Sequence, residues 1–188
     1  MPADAGRKLV LLRHAKSAWP DVRDHERPLA RRGQRDAPAM GRWLRDGALL
    51  PDQVLCSTAR RARETWQLAQ TGLGTSPPVR FDDLVYQASA AQLLDLIRGA
   101  SPAVRTLLVV GHDPGLPDLA LMLAAGALSA QAEPASSVMA VRMRTRFPTA
   151  AVAVFEVTGN WAQLIPRSAR PTHFVRPREL TQQGSDAK

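Results

Sequence analysis

Three short segments of the chain combine histidine, arginine and hydroxyl side chains within a few residues. They are residues 13–17 (RHAKS), 57–62 (STARRA) and 111–115 (GHDPG). A neutral imidazole can act as a nucleophile or carry a proton near neutral pH. Arginine keeps its positive charge and binds phosphate through paired N–H donors. Together these residue types suit the handling of an anionic group such as phosphate.

The position of the three segments is more informative than their composition, because an Arg-His pair also arises by chance. Each segment directly follows an apolar run typical of a buried strand, at residues 9–12, 53–56 and 106–110. In open parallel sheets, ligands bind beyond the carboxyl ends of the strands, where helix N-termini also point. We therefore predict an anion site at one sheet edge that contains His14, His112 and two or more arginines.

The helix that follows the second segment indicates which of its arginines can reach this site. Small and apolar residues recur there at helical spacing and predict the buried stripe of the helix, which comprises Ala59, Ala62, Trp66 and Ala69. Arg61 lies beside this stripe in the first turn, from where it can reach the sheet edge. For Arg60 and Arg63 we expect a solvated helix face.

Apolar runs alternate with helical patterns along the chain, which predicts an α/β fold. The predicted strands cover residues 9–12, 53–56, 79–81, 106–110, 138–143 and 151–157, and the predicted helices cover 31–47, 90–98, 116–125 and the segment from a Ser57 or Thr58 cap to Gln70. This order is typical of a mostly parallel sheet with helices on both faces, a three-layer α/β/α sandwich. A chain of 188 residues fits one domain, with its core at about 7–180 and a frayed tail from Thr181.

The charge of the chain leaves several partners open. The net charge is +8, and residues 1–70, with 14 basic and eight acidic side chains, carry most of the excess. Such a balance suits nucleic acid, an anionic membrane surface or a phosphate group. Arg142, Arg144 and Arg146 would share one face of a strand, which keeps a nucleic-acid-binding module as an alternative. Aromatic residues make up only 5% of the chain, and no stacking motif supports that alternative.

Cysteine usage and hydropathy suggest a reducing compartment. Cys56 is the single cysteine, which excludes an intramolecular disulfide and suggests a buried structural thiol. The apolar stretch before Arg13 is too short for a secretion signal, and no run approaches the roughly 20 residues that span a bilayer. We expect a cytoplasmic monomer without membrane contact. No His, Cys and Asp cluster has metal-ligand spacing, so we expect neither a metal nor a cofactor.

Four segments of the sequence resemble the histidine phosphatase superfamily, which includes phosphoglycerate mutases and acid phosphatases. They are LLRHAKSAW at 11–19, RPLARRGQRDA at 27–37, VLCSTARRARET at 54–65 and LLVVGHDPGL at 107–116. The family carries an Arg-His-Gly motif after its first strand, and the nearest resemblance is to its small SixA-like phosphohistidine phosphatase branch. The resemblance implies a phosphoglycerate mutase-like fold and a metal-independent phosphatase.

The resemblance also implies roles for single residues. His14 would be the nucleophile that becomes transiently phosphorylated, while Arg13, Arg61 and His112 would bind the phosphoryl oxygens. Arg61 is chosen because it precedes Ala62, as the family's arginine precedes alanine in a Ser-x-x-x-Arg-Ala pattern. Ser17 and Arg60 would lie nearby without a catalytic role.

The sequence departs from the family pattern at its proton donor. Ala15 and Lys16 stand where many members have glycine and glutamate, and residues 84–86 read Leu-Val-Tyr where larger relatives have a Leu-x-Glu general acid. Asp82, Asp83 and Asp113 are the carboxylates that remain close by. Asp113 directly follows His112 and is the candidate general acid, or else it caps the helix that begins near Pro114.

A missing acid favours a substrate whose leaving group needs little protonation. An alkyl phosphate ester gains about 10²–10⁴-fold from a proton donor, whereas phosphohistidine can leave as a neutral imidazole. About 40 residues separate Thr65 from Thr106, too few for a cap that encloses small substrates. We therefore expect a phosphorylated protein as substrate and inorganic phosphate as product. A small-molecule phosphomonoesterase of the same fold remains the main alternative.

Overall fold

Six strands form one mixed sheet in the computed structural model, which describes residues 6–129 and 131–183. The strands are β1 (Arg7–Arg13), β2 (Gln53–Ser57), β3 (Val79–Asp82), β4 (Thr106–Gly111), β5 (Val152–Val157) and β6 (Ala169–Val175). The helices are α1 (Arg31–Asp46), α2 (Arg60–Leu73), α3 (Ala90–Arg98), α4 (Gly115–Ala124), α5 (Pro134–Thr145) and α6 (Pro177–Gln183). None of the helices in these ranges is long and apolar enough to cross a bilayer.

The strand order is β3-β2-β4-β1-β5-β6. β3, β2, β4 and β1 run parallel to their neighbours, whereas β5 and β6 are antiparallel additions beside β1. The mostly parallel sheet confirms the predicted fold class. β1 is therefore an interior strand, and its carboxyl end lies beside that of β4.

Alternate residues of β1 pack into two separate apolar clusters, one on each face of the sheet. Leu9 and Leu11 join the cluster under α3, α4 and α5, whereas Val10 and Leu12 join the cluster under α1 and α2. A central strand that is buried on both faces reads as a continuous apolar run. The helices on both faces confirm the predicted three-layer arrangement.

The predicted strand at 138–143 is wrong, because these residues belong to α5. Ser136, Ala140 and Met143 are buried, whereas Val138 and Val141 are exposed, which is helical spacing. A short apolar run cannot by itself distinguish a strand from a helix. Arg142, Arg144 and Arg146 therefore do not share a strand face. Arg142 pairs with Glu179 instead.

Two further elements differ from the sequence-based predictions. β6 was not predicted, and α2 begins later than predicted. β6 pairs with the antiparallel strand β5 at the sheet edge, where its Pro171 is tolerated. The predicted Ser57 or Thr58 cap is wrong, because α2 begins after Ala59 and has no side-chain cap. α6 extends to Gln183, and residues 184–188 of the predicted frayed tail lie outside the described residues.

Two glycines allow α1 and α2 to pack with their backbones close together. A Cβ atom on Gly41 would lie 1.8 Å from the carbonyl oxygen of Ala69, and one on Gly72 would lie 2.1 Å from that of Pro38. Backbone atoms cannot move aside as a flexible side chain can. The contact therefore requires glycine at both positions, and it fixes α2, which carries Arg61, against α1.

We expect Gly41→Ala to lower the free energy of unfolding by about 1–3 kcal/mol, because the added methyl group overpacks the contact between the helices. The higher helix propensity of alanine, worth about 1 kcal/mol, opposes this loss. Urea denaturation measures the difference. Arg42→Ala, one residue further along and exposed, is the matched control and should change stability by about 0.5 kcal/mol or less. A Gly41→Ala protein as stable as wild type would contradict the close contact.

Candidate active site

The parallel pairing of β1 and β4 brings two buried histidines together at one sheet edge. Arg13 is in register with Gly111, and the His14 backbone N–H donates to the Gly111 carbonyl at 3.0 Å. The rings of His14 and His112 then lie 5.1 Å apart between centroids, at an angle of 48°. The predicted anion site therefore has a physical location at the carboxyl ends of β1 and β4.

The His14 ring is held by its Nδ1 atom, which lies 2.8 Å from the Ala15 carbonyl oxygen. A carbonyl only accepts hydrogen bonds, so Nδ1 carries the proton and Nε2 of the neutral ring keeps its lone pair. The turn is tied to α2, because the Ala15 N–H donates to Thr65 Oγ1 at 2.9 Å and that hydroxyl donates to the Arg61 carbonyl at 2.6 Å. This geometry leaves the Nε2 lone pair available for a nucleophilic attack.

Burial is the main reason why His14 stays neutral. It lowers the pKa of His14 from 6.5 to about 4, an effect that the positive charges of Arg61, Arg13 and Arg27 reinforce and the Ala15 carbonyl opposes. An unprotonated imidazole is the nucleophilic form. The surroundings of His14 therefore keep it reactive across the neutral pH range.

His112 is oriented by Ser57 at the end of β2. His112 Nε2 lies 2.7 Å from Ser57 Oγ, which also accepts from the Ala59 N–H at 3.2 Å. We assign the Ser57 hydroxyl as the donor and Nε2 as the acceptor, because this choice leaves the fewest buried polar groups without a partner. The proton of the neutral His112 ring is then on Nδ1. Among the described residues Nδ1 has no hydrogen-bond partner. It is a buried N–H donor that a ligand oxygen could satisfy.

The pKa of His112 is lowered to about 3, first by burial and then by the repulsion that a protonated His112 would meet from Arg61 and from a protonated His14. This ring is therefore also neutral near pH 7. A neutral ring whose Nε2 accepts from Ser57 can only donate from Nδ1, so His112 is set up as a fixed hydrogen-bond donor.

Arg61 lies in the first turn of α2, as predicted, with a side chain that is only 7% exposed. Its Nη1 donates to the Asp24 carbonyl oxygen at 2.6 Å and its Nη2 to Asp24 Oδ2 at 3.0 Å. Of its five N–H groups, three remain for a ligand. Arg60, by contrast, is half-exposed and pairs with Glu64 at 2.7 Å.

Arg13, the last residue of β1, is anchored by a backbone carbonyl and a carboxylate. Its Nη1 donates to the Phe147 carbonyl at 2.7 Å, and its Nη2 lies 3.4 Å from Asp113 Oδ2. Burial lowers the pKa of Arg13, while Asp113 opposes that shift. The Arg13 Nε atom is buried and lacks a partner in the described part of the chain. It is a second polar group that a ligand could satisfy.

Arg27 begins one of the four resembling segments but is not among the predicted site residues. Its Nη2 donates to Ser17 Oγ at 2.7 Å, its Nη1 to Asp24 Oδ1 at 2.9 Å and its Nε to the Ala18 carbonyl at 3.0 Å. The Trp19 ring stacks on it, with the guanidinium carbon 3.2 Å from the ring centroid. Ser17 therefore lies near the site, as predicted, where it holds Arg27.

Asp24 and Tyr86 were also missed. Tyr86 donates to Asp24 Oδ2 at 2.7 Å, and its ring meets that of His112 edge-on at 5.5 Å between centroids. The only sequence signal for Asp24 is its position three residues before Arg27. The signal for Tyr86 is that it stands where larger relatives have glutamate. Neither signal reveals the contact between them, which spans 62 residues of chain.

The three aspartates considered as acids have different surroundings. Asp113 is half-exposed beside Arg13 and does not cap α4, which has no side-chain cap. Asp82 accepts from the Leu84 N–H at 2.9 Å, and Asp83 accepts from Thr58 at 2.5 Å. Asp113 is thus the one of the three that is tied to a predicted site residue. Its role as general acid stays a prediction.

Cys56 is fully buried, as predicted, and burial raises the pKa of its thiol. A thiol rather than a thiolate is unreactive as a nucleophile. The described residues hold no group of three or more His, Cys, Asp or Glu side chains that could bind a metal ion.

We expect both site histidines to be neutral near pH 6, each with its single proton on Nδ1. Each ring should gain its second proton only near pH 4 for His14 and near pH 3 for His112. Long-range ¹H–¹⁵N NMR spectra report tautomer and titration, and His14→Asn and His112→Asn assign the signals. The unfolded chain binds these protons near pH 6.5, so the free energy of unfolding should fall as pH drops from about 6.5 to 4. A site histidine that titrates near 6.5 would contradict this arrangement.

The chain is similar to known proteins over most of its length. Residues 9–85 match the model of the histidine phosphatase superfamily (branch 1). An uncharacterized protein of Mycobacterium tuberculosis is 44% identical over 170 residues, which cover 89% of this chain and all of that protein. A Nakamurella multipartitia protein assigned as the phosphohistidine phosphatase SixA has 36% identity, a TM-score of 0.82 and coverage of 94% of this chain and 99% of that one.

The protein assigned the same way in Agrobacterium tumefaciens has 26% identity and a TM-score of 0.73, with coverage of 91% of this chain and 98% of that one. These matches extend over nearly the whole length of each partner. Together with the family model, they show that the chain belongs to the histidine phosphatase superfamily, within its SixA-like branch.

Proposed function

We propose that this protein hydrolyses phosphohistidine in other proteins through a phosphorylated His14 intermediate. Family membership supports a phosphatase, and the observation that carries the proposal is the free Nε2 lone pair of His14. That ring is fixed by the Ala15 carbonyl and kept neutral by burial. The buried N–H of His112 and the guanidinium groups of Arg13 and Arg61, whose charges act on His14, are the proposed donors to phosphoryl oxygens.

In the first step, His14 Nε2 attacks the phosphorus atom and the bond from phosphorus to the substrate imidazole breaks. The substrate nitrogen leaves with both bonding electrons, as a neutral imidazole if its other nitrogen is protonated. Phosphoryl transfer needs in-line positioning and stabilisation of charge on three oxygens. Arg13, Arg61 and the His112 Nδ1–H are the groups proposed to supply that stabilisation, with the charge of Arg27 close by.

In the second step, water attacks the phosphorus atom and the bond to His14 Nε2 breaks. The His14 proton stays on Nδ1 throughout, hydrogen-bonded to the Ala15 carbonyl. His14 therefore also leaves as a neutral imidazole. The attacking water gives its second proton to phosphate or to solvent, and inorganic phosphate departs. The two half-reactions are thus chemically alike, since each breaks a bond from phosphorus to a neutral imidazole.

The carboxyl groups near His14 support a phosphoramidate as the substrate. The hydrogen bond from Tyr86, with those from Arg27 and Arg61, holds the pKa of Asp24 far below its usual range, so Asp24 has no proton to give. Tyr86 stands in place of the family's glutamate, and burial together with Asp24 raises the pKa of its phenol. An ester oxygen would therefore depend on Asp113 alone for a proton, whereas a neutral imidazole leaving group does not need one.

The rim of the site supports a macromolecular substrate. Trp19 stacks on Arg27 by one face yet remains 77% exposed, and Leu84 in the turn before Tyr86 is 65% exposed. The chain between α2 and β4 forms only β3, a short turn and α3. Tyr86 from this connection packs against His112, but the described residues of the connection form no separate cap domain. An open rim with exposed apolar side chains suits the surface of a protein.

The first test compares substrates. We expect faster turnover of phosphohistidine peptides and proteins than of sugar phosphates and nucleotides, measured as released phosphate. His14→Ala should lose at least about 10³-fold in kcat, and a rapid quench should trap an acid-labile phosphoryl group on wild type only. His173→Ala, at an exposed histidine of β6, is the matched control and should keep full activity.

The same experiment tests the alternatives. Faster hydrolysis of small esters would identify a small-molecule phosphomonoesterase and contradict the phosphoprotein assignment. Activity that survives in His14→Ala would contradict the nucleophile. A protein without phosphatase activity that retains salt-sensitive binding to nucleic acid would favour a nucleic-acid-binding module instead.

Asp113→Asn tests the candidate general acid. If Asp113 protonates leaving groups, the variant should lose about 10²–10⁴-fold in kcat on alkyl phosphates and change little on phosphohistidine. Since Asp113 lies 3.4 Å from Arg13, a loss of equal size on both substrates would instead indicate that it acts by holding Arg13. Asp118→Asn, in the first turn of α4, is the control for a lost negative charge.

A further inference from the structure

We propose that Asp24 is a positioning residue that fixes the guanidinium groups of Arg61 and Arg27 in the orientation that phosphoryl transfer requires. The inference rests on the proposed function, because it assigns how the phosphate-binding arginines of that site are held. The hydrogen bonds around Asp24 support it. Asp24 itself lies outside both the three histidine- and arginine-containing segments and the four segments that resemble the family.

Asp24 holds Arg61 through two different oxygens. Its backbone carbonyl accepts from Nη1 at 2.6 Å, and its carboxylate Oδ2 accepts from Nη2 at 3.0 Å. Two bonds from two nitrogens fix both the position and the plane of a guanidinium group. The remaining N–H groups of Arg61 therefore point in set directions. A side chain with four rotatable bonds would otherwise lose rotamer entropy when it binds a ligand.

The other carboxylate oxygen of Asp24 holds Arg27. Oδ1 accepts from Arg27 Nη1 at 2.9 Å, so one carboxylate bridges two guanidinium groups whose side chains are only 7% and 8% exposed. Two buried like charges repel each other, and the desolvation of each is costly. The negative charge between them offsets both costs before any phosphate has bound.

Asp24 is itself held in place by the opposite wall of the site. Tyr86 donates to Oδ2 at 2.7 Å, and the Tyr86 ring packs edge-on against His25 at 4.9 Å and against His112 at 5.5 Å between centroids. Asp24 begins a short 3-10 turn, Asp24–Glu26, whose backbone lies over the start of α2. The carboxylate thus connects three separate segments of chain.

A charged carboxylate so near the phosphoryl site has opposite effects on binding and on catalysis. It weakens the ground-state binding of a phosphate dianion by repulsion, yet it orients donors for the charge of the transition state. Interactions that strengthen only in the transition state raise kcat. Asp24 should therefore matter more for kcat than for the affinity of a bound oxyanion.

The test is a double-mutant cycle of Asp24→Asn and Arg61→Ala, with kcat measured on phosphohistidine peptide and tungstate affinity measured by calorimetry. Alone, Asp24→Asn should lower kcat about 10- to 100-fold, less than the loss of a whole donor. Its Kd for tungstate should stay within about threefold of wild type or fall. In the Arg61→Ala background the further loss in kcat should shrink to about threefold or less.

Two matched variants separate positioning from general damage. Tyr86→Phe removes one hydrogen bond but keeps the carboxylate, so its kcat should fall by no more than about fivefold. Asp24→Glu keeps the charge and should recover part of the activity that Asp24→Asn loses. Parallel losses of kcat, tungstate binding and thermal stability in Asp24→Asn, or an undiminished loss in the Arg61→Ala background, would overturn the proposal.

Failure of the proposed function would look different. If wild type releases no phosphate from phosphohistidine peptide, the assigned substrate fails, but Asp24 can still be tested by ¹⁵N NMR of the Arg61 side chain with tungstate bound. Separate Nη signals in wild type that merge in Asp24→Asn would support the positioning role. Separate signals in both proteins would overturn it.

Discussion

The hydrogen bond from the His14 backbone N–H to the carbonyl of Gly111, the last residue of β4, extends the parallel pairing of β1 and β4 past the end of β1. The rest of the site depends on this register. It sets His14 beside His112, and it places both at the edge to which α2 brings Arg61. A shift by one residue would send every side chain of β1 to the opposite face of the sheet. The two apolar clusters that β1 joins therefore fix the site as firmly as its own polar contacts do.

Charge at this edge is arranged so that the cations and the neutral imidazoles support each other. Guanidinium groups around His14 oppose its protonation, and burial does so more strongly. The same guanidinium groups would repel one another without a counter-ion, and Asp24 and Asp113 lie where they offset that repulsion. Under the proposed function, an incoming phosphoryl group would meet positioned donors and an unprotonated imidazole. Little would have to rearrange when it binds, which is the condition for electrostatic catalysis.

α5 and the strands around it show which elements the local spacing of apolar residues can predict and which it cannot. β1, β2 and β4 are long apolar runs that end in polar residues, and α1 and α3 have clear amphipathic spacing, so both kinds of element were predictable. α5 was not, because its apolar run is short and equally compatible with a strand. The packing of this segment against α4 and β6 determines that it forms a helix and not a strand. β6 itself contains a proline, and it is acceptable as a strand only because it lies at the sheet edge.

Within the site, sequence alone determined what depends on position along one element. His14 and His112 come directly after strands, and Arg61 stands beside the buried stripe of α2, so their approach to one edge followed from the chain. Tertiary structure alone decided what depends on distant partners. The bond between Asp24 and Arg61 spans 37 residues, and the one that sets the His112 tautomer spans 55. Hydrogen bonds depend on ångström-scale distances and on angles, which only the packed fold specifies. The periodicity of buried residues, by contrast, can be read directly from the order of residues in the sequence.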